Sequence, residues 1–268
     1  RFDYFHRTGF TEVDWQRLVM HASDVGIEFM SSVFSLEALS LLREAGVNQI
    51  KVPSGEVTNV RLLEKIAEHG IPTLLSTGMS NWAEVDVAVE ILRGVKDLTV
   101  MQCTSAYPTP LRQAGINVVE EIRERYPFRA GFSDHTEGCE AAILALAKGA
   151  RVFEKHLTFS RQMYGSDAPL ATEPKEFSSY VASIRNSHEA ISSYVDKNEL
   201  AAFVETRRVF MKGLYFSRAL RAGSIIEADD LVELKPCEGV SASHFYSIVG
   251  KTLRESVASQ QPVSWEDF

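Results

Sequence analysis

From its start to about residue 156 the chain alternates two hydrophobic patterns. Short runs of adjacent apolar, β-type residues predict strands at 27–30, 49–52, 73–76, 98–103, 130–133 and 152–155. Stretches whose apolar positions recur every three to four residues predict helices at about 12–25, 35–45, 59–69, 82–93, 116–125 and 138–148. Two helix starts are marked chemically. Thr11 with Asp14, and Asn81 with Glu84, have the spacing of capping boxes, in which each side chain satisfies an otherwise free backbone donor. Strands regularly separated by helices imply a parallel sheet, because parallel neighbours are joined only by a crossover.

The polar residues decide between an open sheet and a barrel. An open doubly wound sheet usually carries one Gly-rich first turn, and no GxGxxG is present. Polar residues instead follow nearly every strand: Ser31-Ser32, Lys51 to Glu56, Ser76-Thr77-Gly78, Cys103 to Tyr107, Ser133-Asp134-His135 and Lys155-His156. That distribution fits the top face of a TIM (β/α)8 barrel, where every strand end donates to one central site. Six strand-helix units are present where a closed barrel has eight, so two units, roughly 70 residues, are expected to precede Arg1. The alternative is a complete six-stranded open sheet.

A long helix is predicted at about 174–196, and near residue 205 the pattern changes to short β-type runs and turns: Ala222-Gly223, Glu227 to Asp230, Pro236, Glu238-Gly239, Gly250 and Pro262. The reading is therefore a barrel over 1–196, a linker over 197–210 and a small β-rich domain over 211–268. A domain so short buries little apolar area and is expected to dock on a barrel.

Composition narrows the partners. The 268 residues are 45% hydrophobic and 24% charged, as in ordinary globular proteins, and the net charge of −8 argues against binding to nucleic-acid phosphates. An anionic substrate must then be held by a few local cations. Three cysteines without CxxC spacing, Cys103, Cys139 and Cys237, indicate neither a disulfide framework nor a structural zinc site, which fits a reducing cytoplasm. The longest strongly apolar stretch, about 141–147, is too short to span a bilayer.

His135 and His156 stand just past two consecutive predicted strands. Adjacent parallel strands lie about 4.8 Å apart, so both imidazoles can reach one metal ion, although a histidine after a strand is often only a loop residue. Ser133 points to the same side as His135 if the strand persists. In Lys51-Val52-Pro53-Ser54-Gly55-Glu56, the proline and glycine bend the chain out of the sheet and turn Ser54 and Glu56 toward the mouth. Ser76-Thr77-Gly78-Met79 is a hydroxyl-rich turn suited to an anion; Ser105 and Tyr107 follow the strand at 98–103, and Asp167 lies in a polar loop. Each of these also has a plain reading as an ordinary loop or turn residue.

Six ordered motifs together resemble one family: KVPSGE at 51–56, LSTGM at 75–79, CTSAYPTP at 103–110, GFSDHT at 131–136, EKHLT at 154–158 and the Gly-x-Asp at 165–167. The family is that of the N-acylneuraminate (sialic acid) synthases, with their legionaminic, pseudaminic and spore-coat-polysaccharide relatives. The tail resembles the antifreeze-like (SAF) domain of those enzymes through Ala222-Gly223, Leu231, Lys235-Pro236 and Val249-Gly250-Lys251.

The resemblance implies a metal-dependent condensation of phosphoenolpyruvate with the open-chain aldehyde of an N-acylated amino sugar, with release of phosphate. It implies that His135 and His156 bind a divalent ion, usually manganese, with magnesium or cobalt as alternatives. Lys51, Ser54, Ser76 and Ser133 would hold phosphoenolpyruvate, with Ser32 a weaker candidate. Glu56 would contact the reacting centre or the metal-bound water, and Tyr107 and Asp167 the sugar hydroxyls. It also implies a homodimer in which the antifreeze-like domain reaches over the partner's barrel. Two positions depart from the family pattern: Ser105 replaces a common Asn, and Lys235 replaces an Arg that meets the N-acyl group, so the acceptor is expected to differ from N-acetylmannosamine. Competing readings are a Schiff-base aldolase using Lys51 or Lys155, and a homologue that binds carbohydrate without chemistry.

Overall fold

The computed structural model describes residues 2–268 and divides into two compact units, one ending at Ser193 and one spanning Tyr194–Phe268. In the first unit the elements run α1 (Phe2–Thr8), α2 (Glu12–Asp24), β1 (Met30–Ser32), α3 (Leu36–Glu44), β2 (Gln49–Val52), α4 (Val60–His69), β3 (Thr73–Ser76), α5 (Trp82–Leu92), β4 (Leu98–Cys103), α6 (Ile116–Arg125), β5 (Arg129–Asp134), α7 (Glu140–Ala147), β6 (Val152–Lys155) and α8 (Pro174–Ser192). Both anticipated capping boxes form, Thr11 with Asp14 at α2 and Asn81 with Glu84 at α5. The first strand is displaced: β1 pairs Ser31 with Ile50 and Ser32 with Lys51, and Ile27 is exposed. The long helix ends at Ser192, where sequence predicts about 196.

All six strands are parallel and lie in the order β1-β2-β3-β4-β5-β6. Parallel crossovers are right-handed, so a sheet whose strands never reverse order receives all its helices on one face. That face carries the core. Ile50, Val52, Leu75, Val100, Ala130 and Phe132 are packed in one buried cluster with Leu39 and Leu42 of α3, Leu62, Leu63 and Ile66 of α4, Val85, Val89 and Leu92 of α5, and Val119 and Ile122 of α6.

Alternation along each strand sends the other set to the opposite face: Ser32, Lys51, Ser76, Cys103, Ser133 and Glu154. This face is concave. Lys51 Nζ on β2 donates to Glu154 Oε1 on β6 at 2.5 Å, yet four strand spacings, about 19 Å on a flat sheet, separate their strands. Only a curled sheet brings them together. The architecture is thus an arc of six parallel strands with helices on its convex side, β1 and β6 forming its two edges.

In the second unit, α9 (Val204–Phe210) leads into an antiparallel pair, β7 (Gly213–Phe216) and β8 (Leu231–Leu234), followed by α10 (Phe245–Ile248). The segment read as a linker over 197–210 therefore includes a short helix. Leu214, Phe216, Leu220, Ile226, Leu231, Val240, Ile248, Leu253, Val257 and Val263 form a separate small core. Beside it, buried Asp230 accepts from Arg218 Nε at 2.7 Å and from the Glu227 amide at 3.0 Å. Among the described residues no helix is long and apolar enough to cross a membrane.

Candidate active site on the concave face

The two histidines follow β5 and β6 and their rings meet, with centroids 5.3 Å apart and planes at 70°. Tyr107 completes the cluster, its ring 4.2 Å from His135 and 5.8 Å from His156. Both imidazoles are half-buried, and His135 is held by its Nδ1. His135 Nδ1 lies 2.9 Å from the Thr104 carbonyl oxygen, and His156 Nδ1 lies 3.5 Å from Asp167 Oδ2. A carbonyl only accepts, so His135 carries its proton on Nδ1 and leaves Nε2 as the basic nitrogen.

Burial pushes His135 down, but the Cys103 thiol and the Thr104 carbonyl outweigh it and raise its pKa above the ordinary histidine value. Burial, reinforced by the neighbouring His135, holds His156 below that value. Burial also pushes the Cys103 thiol up, yet His135 and the Ser54 hydroxyl prevail and lower it. Tyr107 is raised, chiefly by burial.

The concave face also carries Lys51, Glu154 and several hydroxyls. Lys51 is mostly buried and faces inward against Glu154. The hydroxyls of Ser76 and Ser133 and the second carboxylate oxygen of Glu154 are buried without a hydrogen-bond partner. Native proteins rarely leave such groups unpaired, so three of them on one concave face mark a place for a polar ligand. Ser54 Oγ accepts from the Gly78 amide at 3.1 Å. Gly78 is where three strand ends converge: a Cβ there would lie 2.5 Å from Ser105 Oγ, 2.8 Å from Ser54 Oγ and 3.2 Å from Cys103 Sγ.

The structure thus gathers His135, His156, Tyr107 and Asp167 into one cluster, and Ser54 and Ser105 around Gly78, with Lys51, Ser76 and Ser133 on the same concave face. Glu56 turns aside, accepting from Asn59 Nδ2 at 2.7 Å. Asp167 supports His156 directly, a role its loop position did not reveal. Lys235 belongs to the second unit, where its Nζ lies 5.9 Å from the centre of the Phe210 ring.

Lys155, the other Schiff-base candidate, is tied up by its own partners. Its ammonium donates to Asp134 Oδ2 at 3.0 Å and to the Thr136 carbonyl at 2.5 Å, and lies 5.0 Å from the centre of the Tyr180 ring. Its side chain is 5% exposed and that of Asp134 is fully buried, so this is a structural ion pair. Glu154 is the residue that sequence reasoning passed over. The only sequence signal was its place two residues before His156, which puts both on one face of the strand.

Among the described residues no group of three or more His, Cys, Asp or Glu side chains is arranged to hold a metal ion. The imidazoles of His135 and His156 are an adjacent pair that could take part in holding one.

The sequence matches the NeuB family over residues 1–196 and the SAF domain over residues 212–268. The chain is 32% identical over 240 residues to an N,N'-diacetyllegionaminic acid synthase from Campylobacter jejuni, covering 88% of this chain and 72% of that protein. A structure described as spore coat polysaccharide biosynthesis protein E from Chromobacterium violaceum superposes with a TM-score of 0.75 at 27% identity, over 98% of this chain and 80% of that one. An N-acetylneuraminic acid (sialic acid) synthetase from Leptospira borgpetersenii, in complex with citrate, gives a TM-score of 0.68 at 28% identity, over 75% of this chain and 72% of that one.

Proposed function

Since this chain belongs to the NeuB family, we propose that it condenses phosphoenolpyruvate with the open-chain aldehyde of an N-acylated amino sugar. Phosphate is released, and the product is a sialic-acid-type nonulosonate for surface or spore-coat polysaccharide. The names of its relatives support the product class. The observation that carries the reading is the convergence, on one concave face, of a histidine pair with Lys51 and the unpartnered hydroxyls of Ser76 and Ser133.

In this reading the arc of strands is the greater part of a (β/α)8 barrel, and its concave face is the reaction chamber. Lys51 neutralises the anionic groups of phosphoenolpyruvate, and Ser54, Ser76 and Ser133 donate to its oxygens. Tyr107, Asp167 and Ser105 meet the sugar, and Glu56 serves the reacting centre only after releasing Asn59 and turning inward. Lys235 contacts the N-acyl group, the SAF domain reaching over a partner's barrel in a cytoplasmic homodimer; light scattering that finds a monomer removes that last element.

The donor set suits a divalent ion, because the Thr104 carbonyl directs the basic Nε2 of His135 away from the backbone. Held by His135 and His156, manganese, or magnesium or cobalt in its place, would supply Lewis-acid polarisation of the sugar aldehyde. The residues themselves fix the tautomer of His135, position the two substrates and keep the anion beside a cation. A Schiff-base route is disfavoured for both lysines. Lys155 is locked in its ion pair, and Lys51 is engaged by Glu154 rather than free to attack a carbonyl.

The test is phosphate release by the full protein from phosphoenolpyruvate across a panel of N-acyl hexosamines. A chelator is expected to abolish turnover, manganese to restore it, and His156→Ala to disable it. Undiminished turnover in metal-free buffer would remove the metal from the reading. Sugar binding by calorimetry without phosphate release from any acceptor would replace synthesis with carbohydrate binding.

A further inference from the structure

We propose that Glu154 competes with the anionic group of the substrate for Lys51 and gives way to it during binding. The idea rests on the assignment of Lys51 as the phosphoenolpyruvate cation. Lys51 Nζ meets Glu154 Oε1 at 2.5 Å, and the two side chains are 16% and 32% exposed. The pairing satisfies only half of the carboxylate: Oε2 stays buried with no partner. A carboxylate has acceptor capacity on both oxygens, so this contact is an incomplete one.

The surroundings favour a different anion. Ser133 is the register partner of Glu154 on the neighbouring strand, and Ser76 lies on the same concave face; both hydroxyls are buried and unpaired. A phosphate group offers several oxygens at once, enough for the Lys51 ammonium and both hydroxyls. Glu154 offers Lys51 one oxygen and leaves the hydroxyls unsatisfied. Both anions cannot share the ammonium without mutual repulsion in a partly desolvated place. Glu154 therefore leaves Lys51 as the substrate anion arrives. The competition lowers apparent affinity by the fraction of time that Lys51 is committed to Glu154. In exchange, a lysine on the concave face is kept paired and oriented.

Calorimetry of the full protein with phosphoenolpyruvate, and separately with inorganic phosphate, measures the competition. Glu154→Gln removes the competing charge and keeps the shape, while Glu154→Asp withdraws the carboxylate by one methylene. Both variants are expected to bind phosphoenolpyruvate more tightly, the Gln variant by about fivefold or more. Unchanged or weaker binding in the folded variants overturns the proposal and makes Glu154 a support for Lys51. Lys51→Ala separates this from the underlying assignment. Loss of binding there alongside unaltered affinity in Glu154→Gln sinks only the competition, whereas full binding in Lys51→Ala sinks the assignment of Lys51 and the competition with it. A structure of the phosphoenolpyruvate complex gives an answer independent of any variant: separation of Lys51 from Glu154 supports the exchange, and an intact pair refutes it.

Discussion

The Thr104 carbonyl oxygen lies 2.9 Å from His135 Nδ1, and that contact fixes which nitrogen of the ring is available for chemistry. Nitrogen-15 correlation spectra of histidine-labelled protein are expected to show His135 as the Nδ1–H form at neutral pH. Manganese, which is paramagnetic, should then broaden the ring signals of His135 and His156 together, and a chelator should restore them. Broadening of other histidines with these two untouched would remove the pair from metal binding. Both readouts are independent of turnover, so they stand even if the acceptor sugar is never found.

Gly78 is fixed by proximity. Its φ is ordinary, but an added methyl would lie 2.5 Å from Ser105 Oγ and 2.8 Å from Ser54 Oγ. Gly78→Ala should therefore push β3's turn away from those hydroxyls and cost about tenfold or more in kcat/KM, since displacements of this size in a positioned site weaken catalysis strongly. Ser105→Ala in the same chain removes the closest atom and should recover part of the loss. Equal activity in Gly78→Ala and the parent would show that the Ser54–Gly78–Ser105 junction is not part of the working site.

The sequence pattern was legible where burial is regular. Period-two and period-3.6 hydrophobicity located β2, β3, β4 and β6 at their observed bounds, because each has a helix layer against one face. The edge strand β1 was misplaced by three residues: Ile27 looks like a strand residue but has no neighbour to bury it, whereas Ser31 and Ser32 pair with β2 despite their polarity. The histidines and Lys51 stand out as candidates in the sequence because strand-end polar residues converge in barrels. Glu154 does not, because its significance depends on a partner 103 residues away that only sheet curvature brings near. Lys155 shows the converse error, since a one-residue step along β6 moves a side chain from the concave face to the helix layer.

Lys155→Met tests that last distinction. Removing the ammonium leaves Asp134 charged and fully buried beside Tyr180, and stranding one member of a buried pair costs about 3–5 kcal/mol. The expected result in denaturant titration is a large loss of stability, with Asp134→Asn in the same chain recovering part of it. Borohydride should trap no pyruvate adduct on Lys155 in the parent. Trapping there, or a Lys155→Met protein of parental stability, would reinstate a chemical role for this lysine.

The pair of helices α5 and α6 carries a pH signature separate from the site. Asp86 on α5 accepts from Arg125 Nε at 2.7 Å and Nη2 at 2.5 Å and from the Tyr126 hydroxyl at 2.6 Å, while the Arg125 guanidinium lies 5.1 Å from the centre of the Trp82 ring. Arg125 beside it, together with Tyr126, holds the Asp86 carboxyl at about 2, below its ordinary value of 3.8. A carboxylate whose pKa is depressed by folding contributes its full stability above the unfolded value and loses it as the pH falls through the folded one. The contribution of Asp86 should thus be constant above about pH 4 and disappear between about pH 4 and pH 2. Because the side chain is 40% exposed, solvent screening keeps the effect modest. Asp86→Asn should lower the unfolding midpoint at pH 7 and flatten the acid limb of the stability curve across that window. An unchanged acid limb in this variant would mean that the Arg125 clasp, though well formed, contributes nothing to holding α5 against α6.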